Sequence, residues 1–545
     1  MKRRHFLLMS TAASAGLALR PAAAAPPAAA LGGSNAVFAD GFETVTPSTN
    51  TAYLFPPGYF EPDSLLPLQK IYPQSDAATA AASHHRRAYP GLRWECPVRA
   101  MGGSNPRFYE LLSGPPGMRV GEFLQRDAFG DYVPTPDYAT LVWESPVAGS
   151  YLIRVRCSDQ NNTPVLFEFR LQVALDGHLF TAPTALGNGD GSSPQNAMAW
   201  NQAMLGNGVV SPSRGKVLVC RGGSYTLGDD LLVNASHMAT SLIAYPGETP
   251  VFNRGLQMRS SDVFVGGLRF DGVGTGNFGI INDWEFNHRW SVWRCHFERC
   301  FNSNTAQNNN QCCIGAVNGG RAAGRQHLLL AENTYRNCSG LHGYDFYNVD
   351  THLCERETFV IDDPSIAVRH SVWFPKGYCR FYEISFCRAD LPPQAVEVEN
   401  IIQAHNGAYA VSLPGVGAIE YNFVRGGSNV GALVANGAAN GTAASVGPIT
   451  LVCQVRRNTF VGKRLGARNF DRAVGVDRHS HFAGNVLQTE SNGTIGTWGP
   501  ENANPIWFTE RDALSAGSGL VGRDGRLVDA TWRGRRGSQV WRPGL

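Results

Sequence analysis

Residues 294–300 read RCHFERC, and the same plan returns as ENTYRNC at 332–338, RETFVI at 356–361 and RRNTFVG at 456–462. Looser copies are LRFDG, EISFCR, ENIIQA, YNFVRGG and GNVLQ. The anchors Phe270, Phe297, Tyr335, Phe359, Phe386, Ile402, Phe423, Phe460 and Leu487 are often 21 to 27 residues apart, and two wider gaps (297–335 and 423–460) hold loops rich in Asn, Gly and Ala. A short polar–apolar–polar unit at such a period is the mark of a coiled, one-dimensional repeat. Each coil lays a strand on the strand of the coil before it, and the inward side chain stacks on its predecessor. Asparagine beside the anchor suits the bend between strands, because its side chain bonds backbone and it tolerates the left-handed conformation. The chain is therefore expected to be all-β, with a stack of parallel coils as its larger part.

Composition agrees. At 545 residues, with 43% hydrophobic and 17% charged residues and 61 glycines, the chain suits two folded units built from short strands and turns. Residues 1–30 have a basic start, an apolar run and a small-residue tail, the plan of an export signal. Arg3-Arg4-His5-Phe6-Leu7 resembles the twin-arginine type. The formal charge of +3 includes Lys2, Arg3, Arg4 and Arg20, so cleavage after residue 30 leaves −1. A near-neutral mature chain gives no electrostatic reason to expect nucleic acid as a partner. No later segment has 18 uninterrupted apolar residues, so no membrane span is expected. The expectation is a monomer in the periplasm, outside the cell or at its surface. Twelve cysteines fit an oxidising compartment, and they lack the paired CxxC spacing of a zinc site. Cys354 and Cys379, 25 residues apart, read either as stacked buried thiols or as a disulfide between coils.

Residues 31–60 are small, polar and proline-bearing and read as a linker. From 61 to 175 the turn signals GGSNP, SGPPGM, SPVAGS and DQNNTP separate alternating runs such as RFYELL, ATLVWE, YLIRVRC and LFEFRLQV, the pattern of a β-sandwich. This stretch resembles the immunoglobulin-like modules of secreted bacterial carbohydrate-active and adhesion proteins. Next, LFTAPTALGNGDGSSPQNAMAWNQAM and GKVLVCRGGSYTLGDDLLV give a glycine-rich turn, a short helical stretch and a strand. They resemble the opening coil of right-handed parallel β-helix proteins of the pectate-lyase-like superfamily, which implies that fold over 176–510. Residues 511–545 read as a polar cap over the last edge. GNGDGSS at 187–193 lacks the GK[ST] ending of a phosphate loop.

The densest set of ionisable and aromatic residues runs from His342 to Arg388. Aligning Phe359 on Phe386 superimposes YDFYNVDTHLCERETF (344–359) on SVWFPKGYCRFYEISF (371–386). That register sets Asp345 on Val372, Tyr347 on Phe374 and Val349 on Lys376, with His342 in one coil and Arg369 and His370 in the next. An extended acidic polysaccharide suits such an outer face. β-Elimination needs a base for the C5 proton, a cation to neutralise the uronate carboxylate and an acid for the leaving oxygen. Burial and nearby cations can adapt a lysine to the first task and arginine to the second.

FPKGYCRFYEISF resembles the segment of β-helix polysaccharide lyases of the alginate and chondroitin B type in which a lysine follows a strand. The resemblance implies proton abstraction by Lys376, with Arg388 or Arg369 and His342 or His370 assisting. The family's arginine in an L-R-H-G-like strand one coil later has no counterpart, since AVEVE or AVSLP stands there. Calcium is the cofactor such lyases imply, with Asp345 and Asp350, and further Glu355 and Glu357, as the carboxylates on offer. Tyr344, Tyr347 and Trp373 are candidate sugar platforms, with core stacking as the alternative for them and for Trp284, Trp290 and Trp293. Asp362-Asp363-Pro364 reads as a turn. Paired with Asp345 or Asp350 it would instead suit a glycoside hydrolase. A binding-only surface protein is the remaining alternative.

Overall fold

The computed structural model describes residues 66–73, 83–122, 125–126, 132–133, 135–159, 161–205, 209–272, 281–284, 289–300, 313–317, 326–338, 349–363, 372–373, 381–391, 415–425, 433–436, 451–456, 458–469, 480–483, 486–497, 513–516 and 519–522. Beyond Val424, side chains are described for Gln454 and Asn458.

The first part is an antiparallel sandwich. Phe108–Ser113, Gly149–Ser158 and Val165–Val173 form one sheet, joined by Arg87–Ala88 along a parallel edge, and Trp94–Pro97, Thr140–Trp143 and Met118–Val120 form the other. The run VLFEFRLQV alternates as a strand must: Phe167, Phe169, Leu171 and Val173 are buried, while Leu166, Glu168, Arg170 and Gln172 face outward. Both sheets meet in one core around Trp94, Leu141, Trp143, Ile153, Val155 and Phe169.

From His178–Ala182 onward the architecture changes to a parallel β-helix. Among the described residues three sheets run along the stack: a 12-stranded first sheet, a 13-stranded second sheet and a 4-stranded third sheet, in which strands pair with the equivalent strand of the next coil and Leu433–Asn436 pairs beside the path with Thr459–Asn469. The pairing is parallel, except that Ala513–Ala516 and Gly519–Gly522 close the second sheet antiparallel. The short helix Trp200–Ala203 lies at the start, its Trp200 edge-on at 5.2 Å to Tyr225 and to Phe252.

The motif that opened the sequence is an interior ladder. Tyr225, Phe252, Phe270, Phe297, Tyr335 and Phe359 succeed one another in register on the second sheet. Ring centroids are 5.2 Å apart between Phe270 and Phe297 and 4.8 Å between Phe297 and Tyr335, with near-parallel planes. One strand spacing, about 4.8 Å, is also a comfortable ring separation, which is why flat side chains suit this position. A polar ladder runs beside it. Asn333 Oδ1 accepts from the Cys295 amide at 2.8 Å while its Nδ2 donates to the Val292 carbonyl at 3.0 Å. Asn422 bonds the Cys387 amide and the Ile384 carbonyl in the same way, each at 2.8 Å. The left-handed bend itself falls one residue earlier, at Arg294, Glu332, Arg356, Phe386 and Tyr421, with φ between 51° and 59°. In this bend the asparagine therefore supplies the bonds, and a neighbour takes the strained conformation.

The expected register is corrected at one step. Phe359 pairs with Ala389, thirty residues on, and Thr351 with Phe381, so Phe386 is not the next rung. Likewise Val424, not Phe423, continues the ladder to Phe460 and Leu487. Phe386 instead occupies the bend, stacks on Tyr421 at 5.1 Å and packs with the sandwich core. The alignment of 344–359 on 371–386 is thus out by three residues. Among the described residues the cysteines are buried thiols with no disulfide between them, which favours the stacked-thiol alternative; Cys379 lies outside the described residues.

Candidate functional site

The sandwich rests on the outer face of the first sheet through buried charge. Arg99 and Arg107 are 0% and 1% exposed at the side chain. Arg107 holds Glu383 with two bonds, Nη2 to Oε1 at 2.5 Å and Nη1 to Oε2 at 2.9 Å, while the Gly102 amide donates to the same carboxylate at 2.6 Å. Arg99 pairs with Glu355 at 2.8 Å and with Glu332, and Asn105 donates to Glu420 at 3.1 Å. Glu355 and Glu420 occupy one register line of the first sheet, reached through Ser385. Burial raises the Glu332 carboxyl, but Arg356, Arg294 and Arg99 outweigh it and bring the pKa down to about 2. Glu355 goes the other way, because burial outweighs Arg99 and Arg107.

Beside this seam a cleft of about 600 Å³ opens between the sandwich residues Tyr89, Arg93, Trp94 and Glu95 and the stack residues Tyr245, Glu248, Trp293 and Arg294. Its charges are braced. Glu95 accepts from Arg93 and, at 2.9 Å, from Arg294, which also bonds Glu332 at 2.7 Å. Arg221 grips Glu248 through Nε and Nη2 at 2.6–3.1 Å, and the bonds from Arg221 hold that carboxyl below its ordinary range. Two guanidiniums also cover rings, Arg294 over Trp293 at 4.4 Å and Arg221 over Tyr245 at 4.6 Å. His84, in the wall, donates from Nε2 to the Glu95 carbonyl at 2.6 Å; burial lowers its pKa to about 4, so it is neutral near pH 7. The cleft thus presents partly exposed arginine and carboxylate groups beside rings that are themselves covered or buried.

A second polar surface lies along the outer side of the second sheet. One register line carries Arg269, His296, Thr334, Thr358 and Arg388, and the line two residues on carries Asp271, Glu298, Arg336, Val360 and Asp390. Pairs cross between the lines, Arg388 to Asp390 at 2.9 Å and His296 to Glu298 at 3.2 Å. Successive coils thus offer a polar group to a polymer every ~4.8 Å.

Of the residues singled out in the sequence, Arg388 is placed on this face, its side chain 22% exposed. Trp373 is corrected: it is fully buried in the stack interior and is a core residue, because its inward position leaves no ring face for a sugar. Trp290 is likewise interior. Asp362 binds Arg336 at 2.5 Å on the surface. Asp350 belongs to strand Val349–Glu355, with its side chain outside the description. His342, Tyr344, Asp345, Tyr347, Arg369, His370 and Lys376 lie outside the described residues. Glu355 and Glu357, carboxylates on offer in the sequence, are fully buried, Glu355 in the seam against Arg99; the seam glutamates Glu332, Glu383 and Glu420 were missed, although AENTY, YEISF and IEYNF repeat an acid just ahead of the motif.

No protein-family model matches the chain, and no curated protein does. A solved structure, the crystal structure of pectate lyase Pel9A, is 12% identical over 62% of this chain and 80% of that one, with a TM-score of 0.26. The strand pairings define the class without it: an all-β protein built on a parallel β-helix with an antiparallel sandwich docked on its first sheet. Among the described residues no helix is long and apolar enough to cross a membrane.

Proposed function

We propose that the protein is an exported polysaccharide-degrading enzyme, a lyase that cleaves an anionic, uronate-containing chain by β-elimination. The observation that carries this reading is the in-register outer face of the second sheet, where Arg388 shares a line with Arg269 and His296. A linear polymer laid along such a line meets a polar side chain at each of these coils, with guanidiniums at Arg269 and Arg388. Function on this scaffold resides in side chains rather than in the fold, and the chemistry assigned to them is as follows. Lys376 removes the C5 proton, and Arg388 or Arg369 neutralises the carboxylate that acidifies it. His342 or His370 protonates the leaving C4 oxygen, so that the C4–O bond breaks as the C4–C5 double bond forms. Tyr344 and Tyr347 support sugar rings, and the seam cleft supplies a further contact for the chain. Asp345 and Asp350 are the carboxylates proposed for calcium.

The test is incubation of the purified protein with a panel of uronate polymers, following ultraviolet absorbance of the unsaturated product. Absorbance should rise with the native chain and fall at least about 100-fold in rate with Lys376→Ala, the usual size of a lost general base. New reducing ends without absorbance would move the assignment to a glycoside hydrolase, and neither signal would make the surface a binding one. Chelation followed by calcium addition should abolish and restore the rate. Full activity in chelator would remove calcium from the assignment.

A further inference from the structure

Three thiols meet inside the stack where the second sheet turns toward the third. Cys300 and Cys338 each follow a left-handed residue, Arg299 and Asn337, at the same position of adjacent coils, since Glu298 pairs with Arg336. Cys313 precedes strand Ile314–Val317 of the third sheet and reaches the same point from the other side. The three sulfur atoms lie within 4.8 Å of one another, and all three residues are buried. Among the described residues no fourth histidine, cysteine or carboxylate joins them. Elsewhere in the stack Cys354 and Cys387 meet as a pair, and among the described residues three thiols converge here.

We propose that Cys300, Cys313 and Cys338 form a trigonal sulfur site for a thiophilic monovalent ion, Cu(I). Sulfur ligands select soft ions, and a structural zinc site closes with four ligands where the described residues here offer three. A dry, apolar setting also disfavours hard cations that keep their water. Binding transfers no electrons: each thiol that becomes a thiolate releases its proton to solvent as the Cu–S bond forms, and the metal stays Cu(I). The site lies inside the stack and is independent of the polysaccharide reading.

The experiment uses the reduced full-length chain without oxygen, titrated with Cu(I) against a chromogenic Cu(I) chelator. One tightly held equivalent is expected, with a shell of three sulfur neighbours in X-ray absorption. Cys313→Ser and Cys338→Ser should each lose it, whereas Cys354→Ser and Cys312→Ser should keep it. Far-ultraviolet dichroism identical to the native chain confirms that the variants are folded. If Cys338→Ser does not fold, Cys313→Ser alone decides. Absence of a retained equivalent, retention by folded Cys313→Ser, loss on Cys312→Ser, or tighter four-coordinate zinc would each overturn the site. So would a Cys300–Cys338 disulfide in the freshly purified protein.

Discussion

The interior of the coil stack and the seam beneath the sandwich are held by opposite physics. Inside, each rung of the ladder from Tyr225 to Phe359 touches mainly the rungs before and after it. Loss of one ring is a local cost, shared with neighbours. At the seam, Arg99 and Arg107 answer Glu332, Glu355 and Glu383 across 233 to 276 residues of sequence, almost without water. A buried pair of this kind adds little net stability when intact, but leaves an uncompensated charge when one member is removed. The stack is therefore tolerant and the seam is brittle. The cleft, whose Arg294 binds a seam carboxylate, inherits the brittle side.

The sharpest break comes from Arg107→Met, which strands Glu383 and leaves Glu355 to Arg99 alone. We expect a loss of about 3–5 kcal/mol in denaturant unfolding. If the loss is below about 1 kcal/mol, the seam is not a buried charge network. The acid limb follows. The Glu332 carboxyl falls from about 4.5 to about 2 on folding, so its contribution is present above the unfolded value and is lost as pH drops through the folded one. That amounts to about 3 kcal/mol between pH 5 and pH 2, and Glu332→Gln should remove this part of the slope.

The interior supplies a contrasting titration. Glu357 takes the ladder position of Asn333 one coil on and accepts from the Asn333 side chain at 2.9 Å; burial raises its pKa to about 8 despite that bond. The native chain then keeps a proton that the unfolded chain releases, so stability falls as pH rises from about 4.5 to about 8. Glu357→Gln keeps the acceptor and carries no such proton. Its unfolding free energy should lose about 2–3 kcal/mol of pH dependence between pH 5 and pH 7. The smallest effect is expected at Phe297→Leu, about 1 kcal/mol, because an apolar side chain of similar volume still fills the rung. A loss as large as that of Arg107→Met would erase the contrast.

The ladder was legible because its rung recurs with the coil, and an inward aromatic leaves the same trace in sequence each time. The reading slipped at Phe386, where an aromatic in the bend imitates a rung while the true rung, Ala389, is too small to notice. The tilt toward the sandwich that Phe386 shares with Tyr421 involves a partner far away in sequence, which periodicity cannot report. The same distance hid the seam: the recurring glutamates are visible, but nothing near them names Arg99 or Arg107. Of the proposed reacting groups, Arg388 has a place on the outer face, and it came from charge density in the sequence rather than from register. Trp373 failed as a platform because aromatic character alone does not say which side of a strand faces out.

Mass spectrometry of the oligosaccharides released from a uronate polymer tests the functional claim most directly. β-Elimination predicts products whose new non-reducing end is unsaturated and one water lighter than a hydrolytic end, lost when Lys376 is replaced by alanine. Saturated products, or intact polymer after prolonged incubation with the native chain, would contradict it.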